Sequence, residues 1–312
     1  MKNFLLLSVF LLLLSACGRS PAGQPDLPEP VTAEPFRIIA YVTDAIVPDV
    51  IRYDLLTHIN YAFLIPNADG TFRPLANGWK LAQVVEQAHA RDVKVLISVG
   101  GWGWDQEFEV MAADPALRAI FVSELAALVA EYDLDGADID WEYPDPGQSS
   151  ENFLLLIQEL RAAMPDKLLT TAVVAHGSTG EGVPAESFEL FDFVNIMAYD
   201  GELHAKMEQA ELALDYWQGR GLPAEKTVLG LPFYAEPNGL AYRKLVEADP
   251  QAAYADSYDY YGMELGYNGI PTVQAKTRLA LARAGGVMFW TLEQDSLDEY
   301  SLLAAINAQL VR

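Results

Sequence analysis

A chain of 312 residues, half of them hydrophobic, with a formal net charge of −24, can bury one large core and fits a single domain of about 250 to 280 residues. The charge excludes nucleic acid and anionic membrane surfaces as direct partners, because those are bound by neutralising phosphate with Lys and Arg. It favours a neutral or cationic substrate, or serves solubility alone.

At the N-terminus Lys2 precedes an apolar run from Phe4 to Leu14, too short to span a bilayer comfortably but suited to the h-region of a signal peptide. The run ends Leu14-Ser15-Ala16-Cys17, which resembles a bacterial lipobox. Cys17 is the one cysteine of the chain, so no disulfide framework competes for it and lipid attachment to its sulfur is expected. Residues 1–17 therefore read as a signal peptide with lipobox. Residues 18–34, rich in Pro, Ala and Gly, read as a flexible tether. The expected product is exported and held to a membrane of a bacterial cell envelope only through an N-terminal lipid anchor, the alternative being an ordinary secreted protein cut near Ala16.

Residues 35–312 carry the remaining architecture. Short β-branched runs alternate with longer amphipathic ones, and eight strands are expected at 36–43, 58–64, 93–100, 137–142, 168–175, 193–199, 227–233 and 286–291, with helices between them at 81–90, 115–131, 151–164, 208–218 and 273–283 and a closing helix at 297–310. Eight strand-helix units point to an α/β fold of the single TIM (β/α)8 barrel type. Parity supports closure: Val95, Ile97 and Val99 of the third strand and Val194, Ile196 and Ala198 of the sixth would face helices, leaving Ser98 and Gly100, and Asn195, Met197 and Tyr199, for the lumen. Ser98, Glu142, Tyr199 and Trp290 fall at C-terminal strand ends, where barrel active sites lie. The tyrosine-rich stretch 235–268 after the seventh strand is expected as a long loop with a short hairpin.

The fourth strand carries the chemistry. Asp135-Gly136-Ala137-Asp138-Ile139-Asp140-Trp141-Glu142 puts Asp138, Asp140 and Glu142 on one face of an extended chain and Ala137, Ile139 and Trp141 on the other. Carboxylates crowded this closely push at least one pKa upward, which keeps a carboxylic acid protonated near neutral pH. A calcium loop does not fit, since the required Gly and distal Glu are missing.

DGADIDWEYP resembles the DxxDxDxE signature of the family 18 glycoside hydrolases, the chitinases and their relatives. Ser98-Val99-Gly100-Gly101-Trp102 is similar to that family's SxGG strand end, Met197-Ala198-Tyr199-Asp200 to its MxYD element, and Trp290 stands on the last strand. The resemblance implies retaining hydrolysis of β-1,4-linked N-acetylglucosamine glycans, chitin or chitooligosaccharides, with the substrate's own acetamido group as nucleophile. It implies Glu142 as general acid, Asp140 as the group that orients the acetamido N–H, Asp138 as its partner in titration, and Tyr199 as the holder of the acetamido oxygen. Tyr41 and Ser98 would donate to the aspartates or only pack beneath them. Trp290 would floor the subsite of the distorted sugar, with Phe63, Trp102, Met197, Asp200 and Tyr234 lining it and Trp104 further out. The alternatives that keep the same acids are an endo-β-N-acetylglucosaminidase on N-glycans, a hydrolase of peptidoglycan fragments, and an inactive chitin-binding lectin on the same fold.

No cofactor is expected. The histidines His58, His89, His176 and His204 do not form a spaced metal set, and Gly100-Gly101 lacks the pattern of a phosphate loop.

Overall fold

The computed structural model describes residues 35–310, together with Met1. The signal peptide, Cys17 and the tether lie outside the described residues. Eight parallel strands close into a barrel: β1 (Arg37–Thr43), β2 (His58–Leu64), β3 (Lys94–Gly100), β4 (Gly136–Asp140), β5 (Leu168–Val174), β6 (Phe193–Met197), β7 (Thr227–Pro232) and β8 (Gly286–Trp290), the last pairing with the first. Around them run α1 (Gly78–His89), α2 (Asp105–Ala113), α3 (Pro115–Glu131), α4 (Gln148–Ala163), α5 (Met207–Gly219), α6 (Tyr242–Ala248), α7 (Ile270–Arg283) and α8 (Leu302–Asn307). This is the single TIM barrel that the alternation of patterns predicts.

The period-2 parity decides which side chains meet. Val95, Ile97, Val99, Ala137, Ile139, Trp141, Val194, Ile196 and Ala198 all belong to the apolar layer between strands and helices, while Ile39, Tyr41, Ala62, Phe193, Tyr199, Val228 and Met288 form a second cluster inside the barrel. The ladders are staggered from strand to strand, so inward residues of alternate strands stack in layers. Following the pairings around the barrel puts Asn60, Asp138, Asn195 and Met288 in one layer, with Ala62, Asp140, Met197 and Trp290 at the mouth above it.

Three departures from the sequence reading have local causes. A helix, α2, occupies residues left unassigned; it buries Phe108, Met111 and Ala112. The closing helix starts at Leu302 rather than near 297, because Asp295 accepts the backbone N–H of Leu302 and Leu303 and the Ser301 hydroxyl caps Ala304 N–H. The long loop after β7 holds α6 and two small hairpins, Tyr234–Ala235 with Leu240–Ala241 and Ser257–Tyr260 with Met263–Gly266, rather than one.

Candidate active site

The acid ladder is held from both sides. Behind it, the Trp141 ring stacks on Phe108 with centroids 5.1 Å apart and its Nε1–H donates to Asp105 Oδ1 at 2.8 Å, fixing the outer face of the strand to α2. Beside it, Gly100 adopts φ +108°, and a Cβ there would lie 2.4 Å from the Asp140 carbonyl. Only glycine lets β3 approach the chain at Asp140 in this conformation.

The four acids of the ladder have four different environments. Asp135 sits at the lower end of β4, where it accepts from His89 Nε2, Lys94 Nζ and Val95 N–H, each at 2.8 Å. It is a structural anchor far down the strand from the mouth. Asp138 is fully buried and saturated: Tyr41 O–H and Ser98 O–H each donate to Oδ2 at 2.8 Å, and Thr170 O–H (2.6 Å) and Asn195 Nδ2–H (3.1 Å) donate to Oδ1. Burial pushes its pKa up, and the four donors oppose that. Asp140, only 3 % exposed, has an Oδ1 with no hydrogen-bond partner among the described residues. Burial, then the charges of Glu142 and Asp138, holds it well above the ordinary aspartate range. Glu142 lies two residues past the last hydrogen-bonded position of β4; burial pushes its carboxyl up to about 7, the Asp200 charge adds to this, and a hydrogen bond with Tyr143 opposes it.

Above these acids opens a cleft of 260 Å³, lined by Tyr41, Phe63, Gly100, Trp102, Trp104, Asp140, Glu142, Ala172, Met197, Tyr199, Asp200, Tyr234 and Trp290. Its size lies just below the usual range of small-molecule pockets, about 300–1,000 Å³. Trp290 is the centre of the aromatic wall, stacked on Phe63 at 5.4 Å and tilted against Tyr41 at 5.8 Å. Among the described residues the Tyr199 hydroxyl donates to Met288 Sδ at 3.9 Å, a weak contact that leaves the group available to a stronger acceptor. Tyr234 donates to Asp200 Oδ1. Trp102 is 79 % exposed at the rim, and the Arg73 guanidinium covers the Trp104 ring at 4.2 Å.

Of the residues singled out from sequence, the cleft brings together Glu142, Asp140, Tyr199, Tyr41, Phe63, Trp102, Met197, Asp200, Tyr234 and Trp290. Asp138 and Ser98 lie beneath it, without surface in the cleft. Ser98 is thus placed to hold Asp138, and Tyr41 both holds Asp138 and lines the cleft. Among the tyrosines after β7, Tyr242 and Tyr267 are buried, Tyr258 and Tyr260 pack on the core, and Tyr254 and Tyr261 stand exposed. None of these six lines the cleft.

Sequence reasoning missed Thr170, Tyr143 and Glu236. Thr170 had a signal, since it occupies the position of β5 that pairs with Asp138. Glu236 had none: it comes from the loop after β7 and joins Asp200 and His204 in a group whose ligand atoms lie within 4.8 Å of one another. Both ring nitrogens of that histidine are engaged, Nδ1 accepting from Asp200 N–H at 3.1 Å and Nε2 against the Tyr234 carbonyl at 3.2 Å, so a metal there would have to displace one of them.

The model of the glycosyl hydrolases family 18 matches residues 37–295. The chain belongs to this family. A probable endochitinase of Caenorhabditis elegans is 32% identical over 231 residues, covering 60% of this chain and 37% of that protein. Endochitinase 1 of Metarhizium robertsii is 27% identical over 280 residues, 70% of this chain and 66% of that protein. The chain thus spans less than two thirds of the length of these two relatives. Among solved structures, a chitinase from Bacteroides thetaiotaomicron superposes with a TM-score of 0.81 at 27% identity, over 89% of this chain and 97% of that one. A chitinase from the chitin utilization locus of Flavobacterium johnsoniae gives 0.76 at 27%, over 88% and 94%. In this family 18 barrel, the matched stretch contains all of the cleft residues above.

Proposed function

We propose that this protein hydrolyses β-1,4-linked N-acetylglucosamine chains, chitin or chitooligosaccharides, with retention of anomeric configuration. The observation that carries the reading is the buried Asp140 carboxylate, with one oxygen unpartnered among the described residues, in a cleft that also holds Glu142, pushed up to about 7, and an aromatic wall. A buried carboxylate oxygen left without a donor is costly, and an acetamido N–H supplies the missing one. The chitinase names of the relatives agree with this substrate class.

In the proposed mechanism Glu142 gives its proton to the glycosidic oxygen as the bond to the anomeric carbon breaks. The acetamido carbonyl oxygen of the same sugar attacks that carbon and forms an oxazolinium ring, so the leaving alcohol departs neutral and Glu142 becomes a carboxylate. Asp140 accepts from the acetamido N–H and offsets the positive charge of the ring, while Tyr199 O–H holds the acetamido oxygen. Water then attacks the anomeric carbon from the face the leaving group vacated, the bond from that carbon to the acetamido oxygen breaks so that the acetamide re-forms, and the water's proton goes to Glu142. Trp290 supplies an apolar face for the sugar's axial C–H groups.

The test compares N-acetylated and fully deacetylated oligomers by mass spectrometry and follows the first product anomer by proton NMR. The expected result is cleavage of the acetylated oligomer alone, with the β-anomer formed first. Efficient cleavage of the deacetylated oligomer would remove the internal nucleophile from the mechanism. The same experiment run on an N-glycan and on peptidoglycan fragments separates the readings that share these acids. For location, the proposal is a lipid anchor at Cys17, resting on the apolar run that ends there; Cys17→Ser should then release the protein from membranes, and unchanged fractionation would defeat it.

A further inference from the structure

Lys276 of α7 has no exposed surface, although a buried ammonium is among the most expensive groups to place in a protein interior. Its Nζ donates to Asn268 Oδ1 at 2.9 Å, and Asn268, 1 % exposed, turns its Nδ2–H to the Ala205 carbonyl at 2.5 Å. The neighbouring charged or titratable groups that act on Lys276 across this packing are Asp256 and His204. Burial lowers the lysine to about 7, but amine and ammonium alike can donate to Asn268, so the contact does not depend on which is present. An apolar side chain would fill the same space at lower cost, so space-filling does not account for the lysine.

The receiving carbonyl belongs to the turn that follows β6. Two non-glycine residues there take left-handed conformations, Asp200 at φ +67° and Ala205 at φ +64°. Such residues persist where surrounding contacts over-determine them. At one end of the turn His204 accepts from Asp200 N–H and its ring lies 5.0 Å from that of Tyr234. At the other end, one residue on, Asn268 holds Ala205. Asp200 itself lines the cleft, accepts from Tyr234 O–H and adds to the upward shift of Glu142.

We infer that Asn268 and Lys276 are positioning residues for the cleft: acting through the Ala205 carbonyl, they hold the 200–205 turn so that Asp200 stays beside Tyr234 and Glu142. The inference rests on the proposed glycosidase reading for its consequence in turnover, but the displacement of Asp200 can be read without it.

The experiment is a double-mutant cycle in the full chain, pairing Asn268→Leu and Lys276→Met each with Asp200→Asn. With a chromogenic N-acetylchitobioside, Asn268→Leu should lower kcat/KM by roughly 10- to 100-fold, the scale of a small misplacement near a reacting centre, and should move the alkaline limb of the pH profile to lower pH. Lys276→Met should act in the same direction more weakly. In the Asp200→Asn background both losses should shrink to less than about twofold, because coupled residues are non-additive. Additive losses, or an alkaline limb that stays in place, would overturn the inference. If Asn268→Leu fails to fold, Lys276→Met carries the same cycle. A carbon NMR titration of the Glu142 carboxyl gives a readout independent of turnover: its pKa should fall in Asn268→Leu and not fall further when Asp200→Asn is added. An unchanged Glu142 titration overturns the positioning role, whereas a shifted titration with no turnover even in the wild type sinks only the glycosidase reading.

Discussion

The two ends of the barrel both carry a cavity lined with charged residues, and they differ in what those charges have for company. At the lower end, where strands begin, a cavity of 860 Å³ is lined by Arg37, His58, Lys94, Arg161 and Lys226 among others. It is larger than the 260 Å³ cleft at the mouth, and its Arg37, Lys94, Arg161 and Lys226 are matched in number by Asp92, Glu189, Asp192 and Glu225. Its cations are nevertheless spent on the fold. Arg161 donates to the carbonyls of Leu190 and Lys167 and to Asp192, and Lys226 donates to the carbonyls of Phe188 and Phe191. His58 is pushed down to about 4, by burial first and then by Arg37, and stays neutral. At the mouth, Asp140 keeps an oxygen without a hydrogen-bond partner among the described residues, and burial pushes the Glu142 carboxyl up to about 7. Size does not mark the site here. The pairing of a buried, unsatisfied carboxylate with a second acid of raised pKa in one open cleft does.

The sharpest way to break that contrast is Glu142→Gln. Turnover should fall by roughly 10²- to 10⁴-fold, the range supplied by a positioned general acid, while calorimetry should show oligosaccharide binding close to wild type. The sign of the pH dependence follows from the raised pKa. The acid is protonated below about 7, so kcat/KM should be lost as pH rises through about 7. The raised pKa also costs stability: the cost is absent below about 4.5, accumulates as pH rises to about 7, and is present in full above it. Glu142→Gln should therefore melt higher than wild type at pH 8, with the gap closing toward pH 4. An equal gap at both pH values would mean that the shift is not the cause.

Asp140→Asn comes next. It keeps the shape of the side chain and removes the charge that the proposed mechanism sets against the oxazolinium ring, and a fall of about 10²- to 10³-fold in kcat is expected. Activity within tenfold of wild type would place the stabilising charge elsewhere. Thr170→Val should cost less, because it removes one of four donors to Asp138. Loss of a buried hydrogen bond to a charged acceptor is worth about 1.5–3 kcal/mol of stability, readable by denaturant unfolding, and it should raise the Asp138 pKa further.

Much of this architecture was legible because it rests on period and parity. The β-branched runs located all eight barrel strands, and the alternation in β3, β4 and β6 sorted their side chains between lumen and helix layer. The ladder from Asp138 to Glu142 and the aromatic Trp290 could be placed on one mouth for the same reason. The parts that were not legible depend on contacts between segments distant in sequence. Thr170 donates to Asp138 only because the β4–β5 register aligns them. Glu236 reaches Asp200 from a loop with no regular pattern. The turn at 200–205 is held by Asn268 and Lys276, more than sixty residues away along the chain. Helix α2 escaped notice because it is nine residues long and buries three side chains, too few to declare a 3.6-residue period.

The smallest effect on activity should come from the opposite end of the barrel. Arg161→Leu leaves the carbonyls of Leu190 and Lys167 and the Asp192 carboxylate without this donor. Because Arg161 is partly exposed, with 23% of its side-chain surface accessible, water replaces part of what is lost, and a destabilisation of about 1–3 kcal/mol is expected from unfolding in urea. The kcat/KM of the folded fraction should stay within about twofold of wild type, since no charge at the mouth changes partner. A loss of kcat/KM comparable with that of Asp140→Asn, at unchanged stability, would show that the lower cavity takes part in the reaction and would end the distinction between the two ends.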